Sequence, residues 1–245
     1  MKPASGQIPD QLPDAQIAPE RLRNKVSSKF IRREAAAMAS DAKHAAVVSQ
    51  RFSLLRTRVL REMRNRGWSR LAVVPVTPGA GGTYVAVHLS LALARQPHTQ
   101  VALIDLNLGN PGVAEMLGIP GCGPVSAALS AGRDLDGLVV SLAESPNLSA
   151  LAPARPENGA AELLQDKVLL DAMQRLHESH PAEVAILDTA ALLSADAALA
   201  SLPLADALLL VADGRNGTAA DMRECERLLV GMPPVMGIVL NKAEG

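Results

Sequence analysis

Short apolar runs alternate along the chain with longer segments that have helical spacing, and this alternation restricts the possible fold more than any other feature. Each run has four to six residues, as expected of a strand buried on both faces. The predicted strands are Leu71–Pro75, Val101–Asp105, Leu148–Leu151, Val184–Asp188, Ala207–Ala212 and Val235–Leu240. The predicted helices between them are Thr83–Arg95, Gly159–His177 and Thr218–Val230. This order predicts an α/β fold with a mainly parallel sheet covered by helices on both faces.

The first 42 residues differ from the rest of the chain. Four prolines fall within the first 19 residues and a polar basic run follows, so we predict a flexible basic tail over residues 1–42. A basic helix is predicted over residues 43–66, closed by Gly67, because apolar residues then recur at helical spacing. These residues are Val48, Phe52, Leu55, Val59 and Met63. The predicted domain spans residues 43–245, and with 48% hydrophobic but only 2% aromatic residues its core must consist mainly of Ala, Leu and Val.

Several features favour a cytoplasmic location. The first thirty residues contain no apolar segment typical of a signal peptide. The longest apolar stretch, residues 197–212, is interrupted by Pro203 and Asp206 and is too short to span a bilayer. Cys122 and Cys225 lack the spacing of a metal or redox site, which is typical of proteins in a reducing compartment. We therefore expect a cytoplasmic protein.

The net charge of −1 conceals a strong asymmetry. Residues 21–70 contain fourteen Lys and Arg against three Asp and Glu, whereas the remaining sequence contains ten against twenty-two. Such a block is most often a solvated helix face, and part of it could fold back on the acidic domain. The alternative is attraction to an anionic membrane surface or an acidic partner. No nucleic acid is expected, since interleaved aromatic residues and groove-reading motifs are missing. The predicted docking residues are Arg51, Arg56, Arg58, Arg61 and Arg64.

A glycine-rich turn separates the first predicted strand of the sheet from the next helix. In such turns, successive backbone N–H groups converge on a phosphate at the positive end of the helix. A full phosphate loop also needs a Lys after its last glycine and a Ser or Thr for Mg²⁺. Thr83 supplies the hydroxyl, but Gly82 occupies the Lys position. From these residues alone, a packing turn and a phosphate site both remain open. The predicted nucleotide-binding residues here are Gly79, Ala80, Gly81, Gly82, Thr83 and Tyr84.

Polar residues also follow three other predicted strands, at the sheet edge where ligands bind in such folds. Asp105 and Asp188 each end an apolar run, which is usual for an Mg²⁺ ligand in phosphate-loop proteins. With Thr83 they form the predicted metal site, and they are the candidate catalytic acids. Asn241 and Lys242 end the last strand, where they can touch a purine.

A dinucleotide-binding fold is an alternative interpretation of the same residues. Asp105 lies roughly where a ribose-binding acid would stand. Against this alternative, the sixth position of a G-x-G-x-x-G motif read from Gly79 is Tyr84, whose side chain would obstruct close packing of helix and strand.

With these motifs in this order, the sequence resembles the cytoplasmic domain of the bacterial tyrosine kinases of capsular and exopolysaccharide synthesis. It is most similar to the stand-alone form that accompanies a separate membrane chain-length determinant. The segments that carry the resemblance are RFSLLRTRVL, VTPGAGGTYVAVHLSLALA, VALIDLNLGNPGVAEMLG, LAPARPENGAAELL, VAILDTAALLSADAALASLPLADALLLVADG and GIVLNKAEG. The resemblance covers roughly residues 45–245. It implies a P-loop NTPase-like fold of the partitioning-ATPase type.

The resemblance also implies cofactors and partners. The cofactor would be ATP or ADP with Mg²⁺. The partner would be a membrane polysaccharide chain-length or export protein, with peripheral contact at the inner membrane and a homo-oligomeric assembly.

The sequence departs from the family pattern mainly in the nucleotide site. The loop Lys of the family falls on Gly82, and the second acid of its Asp-x-Asp motif falls on Asn107. The family's Asp-Thr-Pro-Pro is Asp-Thr-Ala-Ala at residues 188–191. The Glu and two Arg that build a ring between subunits fall on Gln50, Ser53 and Arg56. In place of a C-terminal tyrosine cluster, the chain has a single tyrosine, Tyr84.

These departures predict a degenerate, tyrosine-kinase-like protein that regulates or scaffolds exopolysaccharide biosynthesis or export. Catalysis should be impaired, because removing one positioned donor typically costs about 10²–10³ in rate. Nucleotide binding should be weak or lost, because Gly82 replaces the loop Lys. One alternative is an active kinase that uses another cation and phosphorylates tyrosines on other chains. A second is a partitioning-type positioning ATPase, and a third is a dinucleotide-binding enzyme.

Overall fold

The computed structural model of the protein describes residues 25–40 and 42–243, except for the side chains of residues 34, 37–40 and 42–45. The strands are β1 (Lys25–Val26), β2 (Arg70–Pro75), β3 (Val101–Asp105), β4 (Val139–Leu142), β5 (Ser145–Leu151), β6 (Val184–Asp188), β7 (Ala207–Asp213) and β8 (Val235–Asn241). The α-helices are α1 (Lys29–Ser40), α2 (Ala42–Arg66), α3 (Gly82–Ala94), α4 (Val113–Leu117), α5 (Val125–Ser130), α6 (Ala160–Gln165), α7 (Lys167–Ser179), α8 (Asp196–Ser201) and α9 (Ala219–Leu228). Within this part of the chain, no helix is both long and apolar enough to cross a bilayer.

The strands form one sheet in the order β1-β4-β5-β3-β6-β2-β7-β8. All neighbouring pairs are parallel except β4 and β5, which are antiparallel. All six predicted strands are present, and the predicted α/β fold with a mainly parallel sheet is confirmed.

The sheet separates two apolar cores. Successive residues of a strand point to opposite faces, so Val73 of β2 belongs to the core beneath α2 and α3, whereas Ala72 and Val74 belong to the core on the other face. That second core is covered by α6 to α9. Both cores consist largely of Ala, Leu and Val, as the composition predicts.

Two elements of the domain differ from the prediction. The helix predicted over Gly159–His177 is two helices, α6 and α7, because Asp166 interrupts it. Asp166 has an extended backbone, and its carboxylate accepts a hydrogen bond from the Val168 amide as the N-cap of α7. Strand β4, a four-residue segment that pairs antiparallel with β5, was not predicted.

The predicted tail over residues 1–42 is wrong for its described part. Residues 25–26 form β1 at the edge of the sheet, and α1 follows directly. Phe30 and Ile31 pack against the core beneath α2 and α3. The Ser28 hydroxyl donates to the Leu117 carbonyl and accepts from the Ile31 amide. This basic segment is therefore held by specific packing. Residues 1–24 lie outside the described part of the chain.

An aromatic cluster joins α1, α2 and α3. The rings of Phe52 and His88 are stacked with centroids 4.9 Å apart, and the Tyr84 ring lies 4.1 Å from His88. Phe30 meets His88 edge-on at 5.3 Å. Three of the chain's four Phe, Tyr and Trp residues thus meet at the helix that follows the phosphate loop. The cluster fixes the basic helix α2 against the candidate site.

Candidate functional site

The candidate site lies at the carboxyl ends of the central strands, where the turn after β2 leads into α3. Gly79 and Gly81 have φ angles of 78° and 90°, which favour glycine because a Cβ would strain the backbone. Gly81 is the N-cap of α3 and gives no side-chain cap, so the first N–H groups of this helix are not capped by a side chain. This is the geometry of an anion site at a helix N-terminus.

The last strand supports the loop from outside. The Asn241 side-chain amide donates to the Ala80 carbonyl at 2.9 Å. It lies so close to Gly81 that a Cβ there would collide with it. The Ala80 amide itself donates to the Thr77 carbonyl at 3.1 Å, so within the turn this amide is directed to protein rather than to a ligand.

The loop position where the Lys is expected, Gly82, carries no charge and also has no space for a side chain. A Cβ built on Gly82 would lie 2.6 Å from Cγ and 2.8 Å from Cδ of Pro75. Pro75 is the last residue of β2, and its ring occupies the space that the Cβ of a side chain at position 82 would need. Sequence reasoning missed this contact. The one sequence feature that could have indicated this contact is the proline at the end of a buried strand, since proline cannot donate a hydrogen bond to a neighbouring strand.

Asp105 and Asp188 are brought together as predicted, because they are register partners on β3 and β6. Both side chains are fully buried. Asp105 accepts three backbone hydrogen bonds, from Asn107 at 3.1 Å and from Gly112 and Val113 at 2.9 Å each. Neither carboxyl oxygen of Asp188 has a hydrogen-bond partner among the described residues.

These environments set the protonation of the pair. Burial raises the pKa of Asp105 to about 6, opposed by its backbone hydrogen bonds. Burial, and then the charge of Asp105, raises the pKa of Asp188 well above its usual range, and the nearby Thr83 hydroxyl opposes this only in part. When the pair holds one proton, Asp188 carries it, since Asp105 has the amides that stabilise a carboxylate.

Thr83, Asp105 and Asp188 together fit a hard cation. An orphaned carboxyl beside a hydroxyl offers the oxygen ligands that Mg²⁺ prefers, with water completing the octahedron. Asp188 and Thr83 would hold such an ion, and the ion would neutralise charge on a bound phosphate. Among the described residues there is no group of three or more His, Cys, Asp and Glu side chains that could form an all-protein metal site.

Asp213 is a polar residue of the site that sequence reasoning missed. It ends β7 and accepts hydrogen bonds from the amides of Arg215 and Asn216. These bonds, the Arg215 amide first, hold the pKa of Asp213 below its usual range. Lys242 donates to Asp213 at 3.3 Å and to the Gly79 carbonyl at 2.5 Å. The signal was available, since Asp213 closes an apolar run in the same way as Asp105 and Asp188.

The predicted docking arginines are only partly free. Arg51, Arg58 and Arg61 are exposed on α2. The Arg64 guanidinium donates to Glu183 at 2.6 Å. Arg56 is half-buried, and its guanidinium lies 3.2 Å from the Gln96 amide. The structure therefore leaves three of the five predicted docking residues facing solvent without a described ion pair.

No protein-family model and no curated protein matches the sequence. Three solved structures illustrate what the fold is similar to. The kinase domain of the Escherichia coli tyrosine kinase ETK has a TM-score of 0.72 at 18% identity, with 93% of this chain and 96% of that one covered. The VpsO kinase domain has a TM-score of 0.70 at 22% identity, covering 81% and 98%. The septum site-determining protein MinD of Pyrococcus horikoshii, complexed with Mg-ADP, has a TM-score of 0.57 at 17% identity, covering 70% and 69%.

These comparisons define the class of fold. The chain has the fold of bacterial tyrosine kinase domains, which is shared more distantly by septum-positioning ATPases. The predicted resemblance is thus confirmed for the fold, including the P-loop NTPase-like type.

Proposed function

We propose that the protein is a degenerate member of the bacterial tyrosine kinase family that regulates or scaffolds exopolysaccharide biosynthesis or export. One observation supports the proposed loss of catalysis. Gly82 replaces the loop Lys, and the Pro75 ring occupies the space that a side chain at position 82 would need. Phosphoryl transfer depends on positioned charge around the terminal phosphates. A loop that lacks this cation and cannot accept it without rearrangement is poorly suited to transfer.

The site retains groups that can bind a nucleotide, although it lacks the Lys that phosphoryl transfer needs. The amides at the start of α3, the Thr83 hydroxyl and the two buried acids support weak binding of ATP or ADP with Mg²⁺. Asn241 and Lys242 stand where a purine can contact the end of β8. MinD, which has the same fold, is complexed with Mg-ADP.

Weak binding is the first expected result. Titration calorimetry with Mg-ATP and Mg-ADP should give dissociation constants weaker than about 0.1 mM, because a lost charge-assisted hydrogen bond weakens binding by about ten- to a hundredfold. Thr83→Ala should abolish the remaining heat, whereas Thr57→Ala, which changes an exposed hydroxyl on α2, should not. Micromolar affinity, or turnover that Asp188→Ala removes, would instead support the alternative of an active kinase.

The proposed partner is a membrane chain-length-determinant-type protein, with α2 as the docking element at the inner membrane. Arg51, Arg58 and Arg61 support this, because they project from a helix whose apolar side already packs on the domain. A basic residue near an anionic surface contributes about 1 kcal/mol. A cytoplasmic location and a homo-oligomer belong to the same proposal.

Docking through α2 should depend on salt and on charge sign. Co-sedimentation with anionic liposomes should weaken as salt is added, since the Debye length is about 8 Å at physiological ionic strength. Arg58→Glu with Arg61→Glu should abolish it. Arg133→Glu with Arg223→Glu makes the same charge change at exposed residues outside α2 and should leave it largely intact. Binding that ignores salt, or equal loss in both double variants, would contradict docking through α2.

A further inference from the structure

Exposed apolar side chains are concentrated at the edge of the sheet formed by β8. Eight large apolar side chains are exposed among the described residues, and four of them lie within residues 230–240. These four are Val230, Val235, Ile238 and Leu240. β8 is the last strand in the sheet order, so one of its two sides has no neighbouring strand in the described part of the chain.

The most exposed residues of β8 also direct their backbone groups to this open side. The Asn241 carbonyl accepts a hydrogen bond from the Gly214 amide, at the end of β7. Because backbone groups of successive strand residues point to opposite sides, Asn241 and Val239 face β7, whereas Ile238 and Leu240 face outward. Their N–H and C=O groups are therefore available to another strand.

The usual protections of an edge strand are missing along most of β8. Charged residues, prolines and bulges normally prevent the pairing of exposed edges. Residues 235–240 contain no charged residue and no proline. Two prolines and an irregular register with β7 occur only at the start of the strand. Lys242 follows the strand, but its ammonium group turns back to Asp213 and the Gly79 carbonyl.

The exposed residues of β8 are complementary to a second copy of the same strand. The register with β7 is regular over residues 237–241, and Val239 is the midpoint of this stretch. Antiparallel pairing of two copies around Val239 sets Ile238 of each copy opposite Leu240 of the other. These residues exchange backbone hydrogen bonds, because both face outward. Their side chains lie on the same face of the sheet and cover each other.

We propose that two copies of this chain associate through antiparallel β8 strands about a two-fold axis at Val239. An uncharged edge does not select an acidic or basic partner, whereas an identical strand satisfies both its backbone groups and its apolar side chains. The pairing joins two eight-stranded sheets into one. Since the axis is perpendicular to the sheet, the α2 helices of both copies lie on the same side of the dimer. This pairing does not depend on the proposed function.

Disulfide cross-linking of the full chain tests the register. Opposed residues that do not exchange backbone hydrogen bonds have Cα atoms about 4.5 Å apart, within the range that a disulfide spans. Val239→Cys in a Cys122→Ala background should therefore give a cross-linked dimer on mild oxidation. Leu240→Cys in the same background is the control and should stay uncross-linked. Its counterpart in the second copy lies two residues further along the strand, beyond the limit of about 7 Å.

Sedimentation equilibrium measures the association itself. Leu240→Lys should weaken dimer formation about a hundredfold, because it places a charge in the centre of the contact. Leu54→Lys is the matched control, since it changes a leucine of α2 that is 60% exposed, against 61% for Leu240, and it should leave the dimer intact. Ile238→Asp alone should also prevent association. An equimolar mixture of Ile238→Asp and Leu240→Lys chains should associate again, because the introduced carboxylate and ammonium then lie opposite each other.

Several results would overturn this pairing. A full chain that stays monomeric at every concentration measured would leave the edge to a strand of another protein. Cross-linking through Leu240→Cys but not Val239→Cys would contradict the register, as would a mixture of the two charged variants that does not associate. A dimer lost in Leu54→Lys but kept in Leu240→Lys would assign the association to α2. Liposome binding of the same variants tests the docking role of α2 separately.

Discussion

The Asp188→Asn variant is expected to lose less folding stability than the original protein as the pH rises. The folded-state pKa of this carboxyl is raised by burial and by Asp105. At a pH between the unfolded-state pKa and the raised folded-state pKa, the folded chain holds a proton at Asp188 that the unfolded chain has released. Folding stability therefore falls as the pH rises through this range. One such group changes the free energy of unfolding by up to about 1.4 kcal/mol per pH unit. The Asp188→Asn variant should be more stable than the original protein by about 1–3 kcal/mol at pH 8.

Denaturant unfolding of both proteins from pH 5 to pH 8 measures this difference. His88 acts in the opposite direction, because burial lowers its pKa to about 4 and stability is then lost as the pH falls below about 6.5. His88 is present in both proteins, so the difference between the two curves isolates the acidic pair. Asp166→Asn, which changes an exposed helix cap, is the control and should lower stability without this pH trend. Parallel curves for Asp188→Asn and the original protein would show that Asp188 is not an orphaned carboxyl.

Restoring the loop Lys alone is expected to damage the protein rather than repair it. In Gly82→Lys, the new Cβ would meet the Pro75 ring at 2.6 Å. Overpacking of this kind typically costs about 1–3 kcal/mol. Denaturant unfolding should show this loss, and calorimetry should show no gain in Mg-ATP affinity. Gly123→Lys is the matched control, because nothing lies within 4 Å of a Cβ at Gly123.

Pro75→Ala should convert the same substitution into a gain. The alanine removes Cγ and Cδ and leaves only the Cβ, 3.2 Å from the new side chain. The Pro75→Ala, Gly82→Lys variant should therefore recover stability. It should bind Mg-ATP about ten- to a hundredfold more tightly than the original protein, since a charged donor is returned to the phosphates. If Gly82→Lys alone were as stable and bound as tightly as the double variant, Pro75 would not be the obstacle.

The fold was predictable wherever one local pattern determined the structure. The buried strands appear as uninterrupted apolar runs, and their carboxyl ends place Asp105 and Asp188 together because parallel strands share one ligand-binding edge. The end of α2 was equally visible: Gly67 has a φ of 67°, and the Trp68 amide bonds back to the Met63 carbonyl.

What could not be predicted depends on contacts between separate segments. Phe30 and Ile31 anchor α1 through packing partners that lie far along the chain, so composition alone indicated a tail. The collision between Pro75 and Gly82 depends on the path of the intervening turn. Asp188 has no hydrogen-bond partner among the described residues, and only the folded arrangement reveals this.

The aromatic cluster gives the protein built-in optical probes. Its only tyrosine, Tyr84, lies between α2 and the phosphate loop, within 6.0 Å of Phe52 and 4.1 Å of His88. Its only tryptophan, Trp68, lies beyond the far end of α2, with the Arg66 guanidinium 5.3 Å from its ring. Tyrosine emission from the unmodified protein therefore originates beside the middle of α2, and tryptophan emission beyond its C-terminal end. Rearrangement at either position can be followed without attaching a dye.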